Sequence, residues 1–139
     1  MNSHRRLTRL GILTGLVAFF AAGCGSDEDR AISAAEDFFG ALADVDAARA
    51  CELNLGSDGN PLDNDHVDWQ ACVTGVETWA NSVAIPVDSE LPTVSFESVE
   101  ITGETAHVSE TVPAEYGFAY AYDLRLVDGS WYVDGAWYL

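Results

Sequence analysis

The spacing of apolar residues changes partway along this chain, and that change sets its fold class. Before Ile85-Pro86 the apolar positions recur every three or four residues; after it they alternate. Ile32, Ala35, Phe38, Phe39 and Leu42 form one stripe, which predicts a helix from about Glu28 to Leu42. Asp27 or Ser26 is placed to cap it, and acids in its first turn suit the helix dipole. A second helix is expected from about Ala47 to Leu53, capped by Asp46. The run Gly56-Ser57-Asp58-Gly59-Asn60-Pro61 reads as loop by composition. A third helix is expected to begin near Asp65. Val67, Trp69, Cys72, Val73, Val76, Trp79 and Ala80 would lie on its broad apolar face.

In the second half Val94 and Phe96 alternate with polar residues, and Val99 and Ile101 continue one place out of phase. That slip near Glu97-Ser98 predicts a bulge. Thr102-Gly103 marks a tight turn. Ala106, Val108 and Val112 share a face, with His107 and Ser109 opposite. Phe118, Tyr120, Tyr122, Leu124 and Leu126 form a long apolar row. Asp128-Gly129 is a strong hairpin signal before a last strand carrying Trp131 and Val133. Three helices packed on a curved four-stranded antiparallel sheet give an α+β domain.

The N-terminus reads as an export signal. Arg5, Arg6 and Arg9 precede an uncharged, mostly apolar run of 13 residues from Leu10 to Ala22. That run is short of the ~20 apolar residues that span a bilayer as a helix. Ala21-Ala22-Gly23-Cys24 resembles a bacterial lipobox, with Ala21 standing where Leu is usual. The resemblance implies a lipoprotein signal peptide over residues 1–23 and Cys24 as the lipidated first residue of the mature chain. Residues 24–30 would form the tether and 31–139 a single domain. An uncleaved membrane anchor, or a secreted protein cut near Gly23, is the alternative. Arg5-Arg6 also resembles a twin-arginine signal, though Thr8 and Arg9 stand where apolar residues belong.

Charge shifts at the same boundary. Beyond Cys24 there are three arginines (Arg30, Arg49 and Arg125), no lysine, and all 23 acidic residues, a net charge of −20. A nucleic-acid partner needs a basic footprint, and none exists. An anionic lipid surface would repel such a domain, so the expected partner is the membrane through the N-terminal lipid alone. The expected location is the outer face of a bacterial cell membrane.

Phe38-Phe39 with Leu42, and then Asp46-Ala47-Ala48-Arg49-Ala50-Cys51, resemble the opening of the nuclear transport factor two-like (cystatin-like) superfamily. Small actinobacterial lipoproteins are the members they resemble most. The stretch Tyr122-Asp123-Leu124-Arg125-Leu126-Val127-Asp128-Gly129-Ser130-Trp131-Tyr132-Val133 is similar to that fold's last hairpin. The resemblance implies a cone whose bent sheet wraps the helices around a pocket. Its members include dehydratases, isomerases, polyketide cyclases and proteins with no catalysis, so fold alone does not settle function.

With Cys24 lipidated, Cys51 and Cys72 remain as a pair, 21 positions apart. Outside the cytoplasm such a pair is normally a disulfide. A metal site with His66 or His107 is the alternative, and it lacks a close Cys-Cys or His-His spacing. The acidic run from Asp58 to Asp65 carries oxygen ligands but fails the EF-hand spacing. No metal and no cofactor is expected.

His107, with Glu110 and Asp123 on adjacent strands, is the best acid–base candidate by chemical type. Alternation places His107 and Asp123 opposite the apolar rows, so His107 is expected as a lone surface histidine. His66 reads as a residue at the start of the third helix. No catalytic residue is assigned. Trp79, Tyr120, Tyr122 and Trp131 are the candidate pocket residues, and simple core filling is the alternative. The expected function is non-catalytic binding of a small apolar ligand or an envelope protein partner. Isomerase, dehydratase or cyclase chemistry is the other class the resemblance allows.

Overall fold

The computed structural model describes residues 25–82, 95–112 and 121–135, with only the backbone of 110–112. The export signal, Cys24, Ile85-Pro86, Val94, Phe118 and Tyr120 lie outside the described residues. The elements are α1 (Asp27–Ala43), α2 (Ala47–Glu52), α3 (Trp69–Ser82), β1 (Ser95–Thr102), β2 (Thr105–Val112), β3 (Tyr122–Val127) and β4 (Ser130–Asp134). The strands pair antiparallel in the order β1-β2-β3-β4. Among the described residues, three helices and a four-stranded antiparallel meander make an α+β domain.

Ser26 caps α1 in a capping box. Its hydroxyl accepts from the Asp29 N–H at 3.1 Å, and the Asp29 carboxylate accepts from the Ser26 N–H at 3.1 Å. The helix therefore begins at Asp27, one residue before the expected Glu28. Two faces of α1 are apolar. Ala31, Ala35, Phe39 and Ala43 recur every four residues and pack on Phe96, Ala106, Val108, Leu124 and Trp131 of the sheet. Phe38, Ala41 and Leu42 point instead toward Ala50, Cys51, Cys72 and Val76 of α2 and α3. The alanines let the helix lie close to the sheet, and the phenylalanines fill the space on either side.

Asp46 caps α2 by accepting from the Arg49 N–H at 3.0 Å. After α2 the chain runs along the outer edge of β4. The Leu55 N–H donates to the Val133 carbonyl at 2.9 Å, and the Val133 N–H donates to the Leu53 carbonyl at 2.8 Å. Asn54, 1% exposed, donates its side-chain amide to the Ala50 carbonyl at 2.7 Å. An otherwise bare sheet edge is thereby covered.

The third helix starts at Trp69, later than its apolar pattern suggests. The Asp63 carboxylate accepts from the Asp65 N–H at 2.9 Å, holding a turn where helix was expected. Val67 falls in the next turn, closed by the Trp69 N–H donating to the His66 carbonyl at 3.0 Å, and is 87% exposed, so it is not part of the apolar face. The expected bulge in β1 is also corrected. Phe96 pairs with Thr111 and Ser98 with Ser109, so the register is the same on both sides of Glu97 and no residue is inserted in one strand. Phe96 nevertheless reaches the core beside Val99, and its N–H donates to Glu36 of α1 at 3.3 Å.

The two turns follow their chemistry. Gly103 has φ +62 between the paired Thr102 and Thr105. Asp128 and Gly129 both have positive φ, 49 and 83, as a two-residue type I′ hairpin requires.

Candidate functional site

Cys51 of α2 and Cys72 of α3 are joined as a disulfide, with Cα atoms 5.9 Å apart. Both are fully buried. Each comes from the inner face of its helix, which is why residues so far apart in sequence meet.

Two of the four candidate aromatics share a cleft. Trp79 of α3 and Tyr122 of β3, with Phe38 and Leu42 of α1, line an apolar space of about 140 Å³. Phe38 and Tyr122 meet edge to face, ring centres 5.2 Å apart, and Tyr122 also packs edge to face on Phe39 and Phe96. Tyr122 and Trp79 therefore touch both halves of the core. Trp131 goes elsewhere. It lies in the sheet-side core and lines a separate groove of about 380 Å³ beside Gly25, Arg30 and Asp37. Its buried Nε1 has no hydrogen-bond partner among the described residues. Tyr120 lies outside them.

The acid–base candidate is on the opposite side of the sheet. His107 is paired rather than lone: its Nδ1 lies 2.8 Å from Asp123 Oδ1, a cross-strand contact fixed by the β2–β3 register. The two side chains are 50% and 77% exposed. Glu100 and Asp134 extend the row on either side through the β1–β2 and β3–β4 registers. The side chain of Glu110 is not among those described. On the same face Arg125 donates through Nε to Asp134 at 3.0 Å. Among the described residues no three His, Cys, Asp or Glu side chains gather as a metal site would need. No described helix is long and apolar enough to cross a membrane.

His66 has a structural role that its sequence position did not suggest. Its ring is 11% exposed and wedged against Gly56, where an added Cβ would stand 2.3 Å from the ring. Its Nε2 lies 3.1 Å from Asp58 Oδ1, and its Nδ1 accepts from the Asp68 N–H at 3.1 Å. The Ser57 hydroxyl and N–H both donate to Asp68, at 2.7 and 2.8 Å. Local signals exist only for the Asp58-Asn60 and Asp63-Asp65 turns. The closure by His66 needs the whole loop folded.

The loop should loosen in acid. The backbone and then the side chain of Asn60 donate to Asp58, with His66 adding to them, and they lower its carboxyl to about 2. Ser57 lowers Asp68 in the same direction. A depressed carboxyl stabilises the fold above its unfolded value near 3.8, and that support is lost as pH falls toward about 2. Amide protection across 56–68, corrected for the pH dependence of intrinsic exchange, should therefore fall between about pH 4 and pH 2. Asp58→Asn should flatten that dependence. An unchanged pH profile in the variant would show that Asp58 does not carry it.

No protein-family model matches this chain, and the curated proteins contain no significant match to it.

Proposed function

We propose that this is a non-catalytic, lipid-anchored domain on the outer face of a bacterial cell membrane, which binds a small apolar ligand. Its fold is read as the curved, cone-shaped nuclear transport factor two-like type. The apolar cleft of Phe38, Leu42, Trp79 and Tyr122 is the observation that carries the reading. Those four residues offer no carboxylate and no imidazole to a bound molecule, so they suit binding by burial rather than proton transfer. The opposite placement of the His107–Asp123 pair, on an open sheet face, also favours binding. At 50% and 77% exposed, the two side chains are not shielded from water by an enclosing wall.

A neutral apolar fluorophore, N-phenyl-1-naphthylamine, tests the cleft. Purified protein should bind it saturably, with a fluorescence increase. Trp79→Ala should weaken binding about tenfold or more, a change of ~1.4 kcal/mol or above. His107→Ala should leave binding unchanged. Equal affinity in the Trp79→Ala protein would remove the cleft from consideration. Turnover of a carbonyl substrate that vanishes in His107→Ala would move isomerase, dehydratase or cyclase chemistry ahead.

The anchor has its own test. Wild-type protein should partition into the membrane fraction and carry lipid mass on Cys24. Cys24→Ala should carry no lipid mass. A mature N-terminus elsewhere, with no lipid, would leave an uncleaved or secreted form instead.

A further inference from the structure

The dimensions of the apolar cleft limit what it can hold. At about 140 Å³, and partly open, it is close to the ~150 Å³ apolar cavity that admits one benzene ring. It is well below the ~300–1,000 Å³ of sites that enclose drug-sized molecules. Its walls are set apart by packing. Phe38 and Leu42 come from α1, Tyr122 from β3 and Trp79 from α3, and Trp79 packs against both halves of the core. Val76, one turn before Trp79, is fully buried, and Cys72, one turn earlier again, is tied to Cys51. One ring can enter with every wall in place, and a second ring would remain at the open side.

The rings that line this space are unequally engaged. Phe38 meets Tyr122 edge to face, with 88° between the ring planes. Tyr122 is further committed to Phe39 and Phe96, at 5.9 and 6.0 Å between centres. Trp79 pairs with no ring among the described residues, although it lines the same cleft. Its indole face is therefore uncommitted, across a space of one ring's volume from two rings that already hold each other. A planar ring placed there can lie on the indole and turn its edge toward Phe38 and Tyr122, the arrangement aromatic pairs favour. An aliphatic group of equal size fills the space without that gain. A cation cage needs several open ring faces, and Tyr122 is already packed by three phenylalanines. An anion would meet a net charge of −20 beyond Cys24 and no cationic residue among those lining the cleft.

We infer that the cleft is a one-ring site: it takes a single neutral aromatic ring, stacked on Trp79 with its edge toward Phe38 and Tyr122, and leaves the rest of the ligand outside. The inference rests on the cleft being the ligand site, and it narrows the ligand class from apolar to a monocyclic aromatic or a larger molecule with a terminal aromatic ring. N-phenyl-1-naphthylamine fits this class through its phenyl group.

Competition against N-phenyl-1-naphthylamine on the purified protein tests this. Toluene should displace the fluorophore at a concentration about fivefold or more below that of methylcyclohexane, which is as large and more apolar but has no planar ring. Naphthalene should compete no more than about threefold better than toluene, since its second ring stays at the mouth. In Trp79→Leu the preference for toluene over methylcyclohexane should vanish, and in Trp79→Phe it should persist. Methylcyclohexane competing as well as toluene would overturn the ring site and leave a cleft that sorts by burial alone. Naphthalene competing better than stated would mean that both rings are enclosed, with the same result. Displacement by tetramethylammonium ahead of toluene would make the cleft a cation cage instead. If the fluorophore itself does not bind, the cleft is not the ligand site, and the reading beneath this inference falls first.

Discussion

Replacing Phe39 with Ala should destabilise the domain by about 3–5 kcal/mol, the cost typical of deleting a large buried aromatic. Phe39 is 1% exposed and central to the sheet-side core. Its ring meets Phe96 and Tyr122 edge to face, each at 5.9 Å between centres. Its helical neighbours on that face, Ala35 and Ala43, are too short to close the space it would leave. The loss is a large share of the ~5–15 kcal/mol that holds a typical domain folded. A urea midpoint should fall by about 1 M or more, given slopes of ~1–3 kcal/mol per molar for small proteins. Val67→Ala is the control. That residue is 87% exposed, so its change should stay within about 0.5 kcal/mol. A Phe39→Ala protein no less stable than the Val67→Ala control would mean that α1 does not seat on the sheet through this ring.

The stripe that contains Phe39 was legible because helical burial leaves a periodic trace. So was the hairpin at Asp128-Gly129, since a type I′ turn needs positive φ at both positions and few residues tolerate it. The pairing of Cys51 with Cys72 followed from counting. What escaped was decided by contacts between segments distant in sequence. The start of α3 moved to Trp69 because Asp63 and His66 found better partners in the loop than a helix could offer. Asn54 looked like a residue just past a helix, yet it is buried along β4. Alternation placed His107 on the correct face and Asp123 on a neighbouring strand, but that the two meet depended on the β2–β3 register, which no local pattern states. The candidate pocket was legible in the same partial way. Trp79 and Tyr122 converge with Phe38 and Leu42, while Trp131 turns to the other half of the core, because adjacent faces of α1 lead to different clusters.

Removing the disulfide should cost about 3 kcal/mol, the loop-closure estimate for a ring of this size, whose ends are 21 residues apart. The effect acts mainly on the unfolded chain: with the bond present, that chain cannot separate α2 from α3, so it has less freedom to gain. The folded loop has its own restraints. The Leu53–Leu55 segment is bonded to Val133, and His66 joins Asp58 and Asp68. The double variant Cys51→Ala with Cys72→Ala is the better test, since single changes leave a free thiol and serine would bury a hydroxyl where both cysteines are fully enclosed. Its urea midpoint should fall, while far-UV circular dichroism at neutral pH stays native. Reduction of the wild type should give nearly the same loss. If the variant lost much more than the reduced protein, packing of the sulfur atoms rather than loop closure would be the cause. If both lost under about 1 kcal/mol, the unfolded chain must already hold α2 near α3 without the bond, and the constraint would be redundant.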